Sequence, residues 1–144
     1  MPALHTERHA PLHSLMRTHG IDLVEISRFA ELLDRHPDRA RDRLFTKAEL
    51  DYAAGKKRET EHLAARFAAK EAVLKALGTG WAQGIAWTDV EITRDHTGQP
   101  GVVLSNRAAQ CAAERGIAAW LVSLSHTEHY AMASVIGLGE SQTR

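Results

Sequence analysis

Arg66-Phe67-Ala68-Ala69-Lys70-Glu71-Ala72-Val73-Leu74-Lys75-Ala76-Leu77-Gly78 is the stretch on which the fold turns. Leu63, Phe67, Leu74 and Leu77 recur at helical spacing, six alanines between positions 64 and 76 favour the helical state, and Gly78 supplies a stop. The pattern predicts a helix from about Thr60 to Leu77. Inside it Lys70 and Glu71 interrupt a segment that is apolar almost all round, and charges in such surroundings are paired or functional. Glu71 and Lys75 stand at i, i+4, a pairing worth about 0.2–0.5 kcal/mol. Arg66 and Lys70 share that spacing with like charge and call for an anionic third party.

Upstream of this helix, Gly20-Ile21-Asp22-Leu23-Val24-Glu25-Ile26 reads as a first strand. Ser27 is placed to cap a helix carrying Phe29, Leu32 and Leu33 on one face, with Pro37 as its terminator. Thr46 and Glu49 form a capping box at the start of a short helix that ends by Gly55. Downstream, Thr88, Val90 and Ile92 alternate with polar residues as a half-buried strand. The turn residues from Asp95 to Pro100 return the chain to Val102, Val103 and Leu104. Asn106 to Arg115 is an alanine-rich helix closed by Gly116, and Trp120–Ser125 and Tyr130–Ile136 are strands joined by a turn at His126 to His129. Strands and helices in this order specify an α+β domain with an antiparallel-rich sheet packed on the long helix, not an alternating parallel fold.

Composition narrows the function. The chain has 144 residues and 15.9 kDa, with 18 Lys+Arg against 18 Asp+Glu and an isoelectric point near 7.1. Such a balance argues against sequence-independent nucleic-acid binding, which needs a cationic excess. A lone Cys111 allows neither an internal disulfide nor a zinc cluster, which makes the cytosol (a cytoplasmic location) the expected compartment. No apolar run reaches membrane-spanning length, and the first 18 residues lack the apolar core of a secretion signal. Residues 1–18 are expected to be a disordered tail, 19–138 the domain, and 139–144 a short C-terminal tail. His5, His9 and His13 would align on one helical face, but Pro2 and Pro11 interrupt the segment and favour disorder over a metal site.

Asp22 is the second oddity, a carboxylate beside the most apolar strand of the N-terminal half. A strand-borne and a helix-borne acid converging on one point suit Mg²⁺, which takes one or two protein carboxylates and completes its octahedron with water and substrate phosphate. Gly78-Thr79-Gly80 offers permissive backbone and a hydroxyl for close approach to phosphate. It is not a dinucleotide fingerprint, because it follows a helix instead of a strand.

Three motifs in order, Gly20-Ile21-Asp22-Leu23-Val24-Glu25-Ile26-Ser27-Arg28, then Arg66 through Gly80, then Ser123-Leu124-Ser125-His126-Thr127, resemble the holo-acyl-carrier-protein synthases, the small 4'-phosphopantetheinyl transferases. The resemblance runs from about His19 to Leu138, with Leu77 a mild departure where the family commonly has an aromatic. It implies a 4'-phosphopantetheinyl transferase-like fold that assembles as a symmetric homotrimer. It also implies transfer of the phosphopantetheine arm from coenzyme A to a serine of an apo acyl carrier protein, releasing adenosine 3',5'-bisphosphate. On that match Asp22 and Glu71 are Mg²⁺ ligands and, with Lys75, the catalytic set. Arg66, Lys70, Lys75, Gly78, Thr79, Gly80, His126 and Thr127 meet coenzyme A, the last two across a subunit boundary. The serine proton falls to Glu71 or to a metal-bound water that Asp22 or Glu71 orients. Arg28, Arg35 and Arg39 fall near one face of the first helices and suit an acidic carrier protein, although Glu31, Asp34, Asp38 and Asp42 also fit a mixed, solvated surface. The competing reading is a trimeric coenzyme A-binding or scaffold module without transferase activity.

Overall fold

Alternating apolar and polar residues build a three-stranded antiparallel sheet, and the alanine-rich segment supplies the helix that covers it. The computed structural model describes residues 15–140. The spacing of His5, His9 and His13 lies outside them. In chain order the elements are β1 (Met16–Glu25), α1 (Ile26–Arg35), α2 (Pro37–Leu44), α3 (Lys47–Ala53) and α4 (Glu59–Leu77). A 3-10 turn at Trp87–Asp89 then leads into β2 (Val90–Arg94), β3 (Pro100–Leu104), α5 (Asn106–Glu114), β4 (Ala119–His126) and β5 (Tyr130–Leu138). The sheet order is β1-β5-β4, and β2 and β3 form a separate hairpin.

Register decides which side chains meet α4. Asp22 stands opposite Ala133, and Ala133 opposite Leu124. Side chains two apart share a face, so Gly20, Asp22 and Val24 look inward with Ala131, Ala133 and Val135. All three of those β5 residues are fully buried. Helix and strand press together at Gly20, where an added Cβ would lie 2.1 Å from the Ala72 carbonyl oxygen. Beside it, Thr18 Oγ1 donates to the Ala76 carbonyl at 2.8 Å. Gly78 ends α4 in the left-handed conformation, φ 71°.

Three local expectations are corrected. β1 begins at Met16, so residues 16–18 belong to the strand and not to a tail. Ser27 does not cap α1: β1 runs into the helix with no linker, Glu25 takes the cap position, and Ser27 Oγ donates to Glu25 Oε1 at 3.1 Å. Pro37 does more than end α1, because it opens α2 at a first-turn position where its missing N–H costs nothing. The capping box of α3 stands as expected, with Thr46 N donating to Glu49 Oε1 at 2.9 Å and Glu49 N to Thr46 Oγ1 at 3.3 Å. Among the described residues no helix is long and apolar enough to cross a membrane.

Candidate functional site

β1 and α4 each deliver one acid to the same place. Asp22 points inward from β1, and Glu71 and Lys75 sit one turn apart on α4. Lys75 Nζ lies 2.9 Å from Asp22 Oδ1 and 3.0 Å from the Ile21 carbonyl oxygen. Asp22 and Glu71 line one open cleft of 510 Å³, whose walls include Arg28, Phe29, Leu32, Phe67 and Tyr130. Burial, and then the charge of Asp22, push the Glu71 carboxyl above the ordinary carboxylate range. Two acids that resist sharing a cleft are a donor set suited to a hard divalent cation, which would relieve their repulsion. Among the described residues no three His, Cys, Asp or Glu side chains are placed to hold one metal ion, so such an ion would need further ligands from water or substrate.

A second cavity of 490 Å³ adjoins the first. Arg35, Arg39 and Arg43 rim it, Leu44 and Trp87 floor it, and Leu32 and Phe67 line both cavities. The three arginines expected at a partner surface therefore divide: Arg28 stands in the wall of the acid cleft, Arg35 and Arg39 on the neighbouring groove.

Lys70 is corrected. Its side chain is 0% exposed and pairs with the equally buried Glu49 at 2.7 Å. Its other protons go to the Trp87 and Val90 carbonyls. No donor is left for a coenzyme A phosphate. Burial pulls the Lys70 ammonium below its ordinary value, and Glu49 opposes that pull.

Arg66 is also buried, but it is not spent. Its guanidinium lies 4.1 Å from the Tyr52 ring centroid, and that of Arg94 lies 5.9 Å from it. Both Nε atoms are buried without a hydrogen-bond partner among the described residues. Burial, then Arg66, Lys56, Arg94 and His126, depress the His62 imidazole. Cations gathered in this way with donors unused are a setting for an anion. His126 ends β4 in the row with Ala131 and Val24 and is exposed there. Thr127 Oγ1 accepts from Tyr130 N at 3.1 Å and closes the following turn. Neither these two nor Gly78, Thr79 and Gly80 line the acid cleft. In the last group, Thr79 Oγ1 donates to the Gly80 carbonyl at 2.9 Å.

Sequence reasoning passed over Gly20, Glu49 and Phe67 as site-forming residues. A glycine inside a strand signals close backbone approach, and that signal was present at Gly20. Glu49 was legible only as a cap, and Phe67 only as part of an apolar stripe.

Comparison with known proteins bears on the whole arrangement. Residues 18–135 match the sequence profile described as the 4'-phosphopantetheinyl transferase superfamily. A holo-[acyl-carrier-protein] synthase of Moorella thermoacetica is 52% identical over 114 residues, 79% of this chain and 88% of that protein. The crystal structure of a holo-[acyl-carrier-protein] synthase from Neisseria meningitidis superposes with a TM-score of 0.78 at 29% identity, covering 85% of this chain and 98% of that one. A Bacillus anthracis holo-(acyl-carrier-protein) synthase in complex with CoA (3',5'-ADP) superposes with a TM-score of 0.72 at 32% identity, covering 88% and 99%.

Proposed function

Because the chain belongs to the 4'-phosphopantetheinyl transferase superfamily, we propose that it moves the phosphopantetheine arm of coenzyme A onto a serine hydroxyl of an apo acyl carrier protein and releases adenosine 3',5'-bisphosphate. The observation that carries this reading is the convergence of Asp22 and Glu71 with Arg28 in one cleft, with Lys75 paired to Asp22 beside it. Mg²⁺ held by Asp22 and Glu71, together with the coenzyme A pyrophosphate, would neutralise the charge that develops on the departing phosphate. Lys75 adds a fixed positive charge beside the same oxygens. Arg66 on this chain, and His126 and Thr127 from across a subunit boundary, would meet the nucleotide end of coenzyme A. Gly78, Thr79 and Gly80 let the backbone approach the same cofactor. Phosphoryl transfer depends chiefly on position and electrostatics, and this site is built for both.

The partner reading rests on the groove beside the cleft. Arg35 and Arg39 on the groove and Arg28 in the adjoining cleft wall give a cationic surface that suits an acidic carrier whose serine must reach Glu71. Trimer formation accounts for the outer face of the sheet. Ile21 is 55% exposed, Leu23 61% and Leu121 53%, with Met132 beside them. Exposed apolar side chains gathered on one face suit burial against another protein surface, and a second and third copy of this chain would cover them. A cytoplasmic setting agrees with this chemistry.

Incubation of the protein with Mg²⁺, coenzyme A and an apo carrier protein tests the reading. The carrier gains the mass of one phosphopantetheinyl group, and the gain forms far more slowly with Glu71→Gln. Coenzyme A binding without that gain would leave the scaffold reading standing instead.

A further inference from the structure

Lys70 and Glu49 take no part in the chemistry above, yet their pairing is complete. Glu49 Oε1 accepts from Lys70 Nζ at 2.7 Å and from Thr46 N at 2.9 Å, and Oε2 accepts from Ile92 N at 3.1 Å. The ammonium also donates to the Trp87 and Val90 carbonyls, so its three protons have three acceptors. One knot thus joins α3, α4, the 3-10 turn and β2. A buried ion pair by itself is weak evidence for stability; what this one adds is a fixed polar junction between four elements.

α4 buries Leu63, Val73, Leu74 and Leu77 and is gripped from β1 at Gly20, Thr18 and Asp22, so the knot is its polar hold on the opposite side, toward α3 and β2. Ala64, Ala65, Ala68, Ala69, Ala72 and Ala76 are buried as well. Lys70 and Glu71 point about 100° apart around the helix, and a roll of about 10° at a side-chain radius of about 6 Å carries a carboxylate about 1 Å. Misplacement by that amount costs on the order of 100-fold in rate. The knot also holds Trp87, whose ring stacks on Phe67 at 5.1 Å in the wall of the cleft.

We propose that the Glu49–Lys70 pair is the positioning element of the acid cleft: it sets the roll of α4, and with it the place of Glu71 relative to Asp22. This rests on the reading of Asp22 and Glu71 as cation ligands. The test compares the full chain with a Glu49→Met, Lys70→Met double variant and with Glu49→Gln, which preserves the capping box. Thermal melting, Mn²⁺ binding followed by paramagnetic resonance of the free ion, and kcat and KM for the carrier are measured on each. The double variant folds but melts below the wild type, because the Thr46 and Ile92 amides lose their acceptor; it binds Mn²⁺ about 10-fold more weakly and loses about 10- to 100-fold in kcat, with KM for the carrier within about twofold. Glu49→Gln moves Mn²⁺ affinity in the same direction. A folded double variant with wild-type Mn²⁺ affinity and kcat overturns the proposal. If the double variant does not fold, wild-type affinity in Glu49→Gln overturns it. Failure of the wild type itself to bind Mn²⁺ removes the cation reading, a result distinct from either.

Discussion

Two neighbours on one helix, Lys70 and Glu71, meet opposite surroundings. Toward α3 and β2, Lys70 is sealed from water and every one of its protons is bonded. Toward β1, Glu71 is half-buried, shares a cleft with Asp22 and is held above the usual carboxylate range by that setting. A charge whose partners are complete fixes structure. A charge left short of partners keeps its capacity to bind, and the protein places the two kinds one residue apart.

Neutralising each neighbour breaks the comparison in a different way. Lys70→Met strands the Glu49 carboxylate in the core and costs about 3–5 kcal/mol of stability, read as a large fall in the thermal midpoint. Glu71→Gln reduces transfer by about 10²- to 10³-fold, the range found when a preorganised electrostatic contact at a reacting phosphate or carbonyl is lost, while the midpoint in the absence of metal does not fall. Equal loss of stability in both variants would erase the distinction. Gly20→Ala puts a methyl group against the Ala72 carbonyl and costs about 1–3 kcal/mol by overpacking. Because β1 then shifts off α4, Mn²⁺ binding weakens as well. A melt lowered without any change in Mn²⁺ affinity would separate packing from the site.

Smaller effects sharpen the picture. Arg35→Glu raises KM for the carrier several-fold and leaves KM for coenzyme A unchanged. Added salt mimics it in the wild type as the Debye length falls from about 10 Å at 0.1 M to about 3 Å at 1 M. Unchanged carrier KM in the variant across that range would return the arginine to a solvated helix face. The smallest signal is linkage at Glu71. Its folded-state value is raised, so its contribution to stability is complete below the ordinary glutamate range. That contribution is lost as pH climbs through the raised value. Melting in a chelator therefore shows the wild type losing ground to Glu71→Gln across that interval and running parallel to it above.

Patterns carried by short spacing were legible in the sequence. The α3 box spans three residues, the α4 stop needs one glycine, and the alternation in β4 and β5 exposes its period directly. The three motifs carried the fold class further than periodicity could. What stayed hidden depended on distance along the chain. Lys70 and Glu71 are equivalent as letters, and the partner that separates them stands 21 positions earlier, where its side chain already had an evident duty in the cap. A carboxylate has two oxygens and several lone pairs, so one assignment does not exhaust it. α2 escaped notice because only Leu44 is buried on it, which leaves no stripe to read, and because proline marks beginnings as well as ends. Ser27 misled because the strand turns into a helix without an intervening loop, so the residue that resembles a cap lies already inside.

Phe67 and Leu32 form a party wall: one face closes the acid cleft and the other closes the arginine-rimmed groove. Any substitution that reshapes the groove for a differently contoured carrier also redraws the acid cleft proposed for transfer of the arm. Selection for a new partner through that wall is thus taxed by chemistry, whereas the rim arginines, which touch the groove alone, are free to drift. In a lineage that changes carriers, variation should collect at Arg35 and Arg39 while Leu32 and Phe67 stay constant.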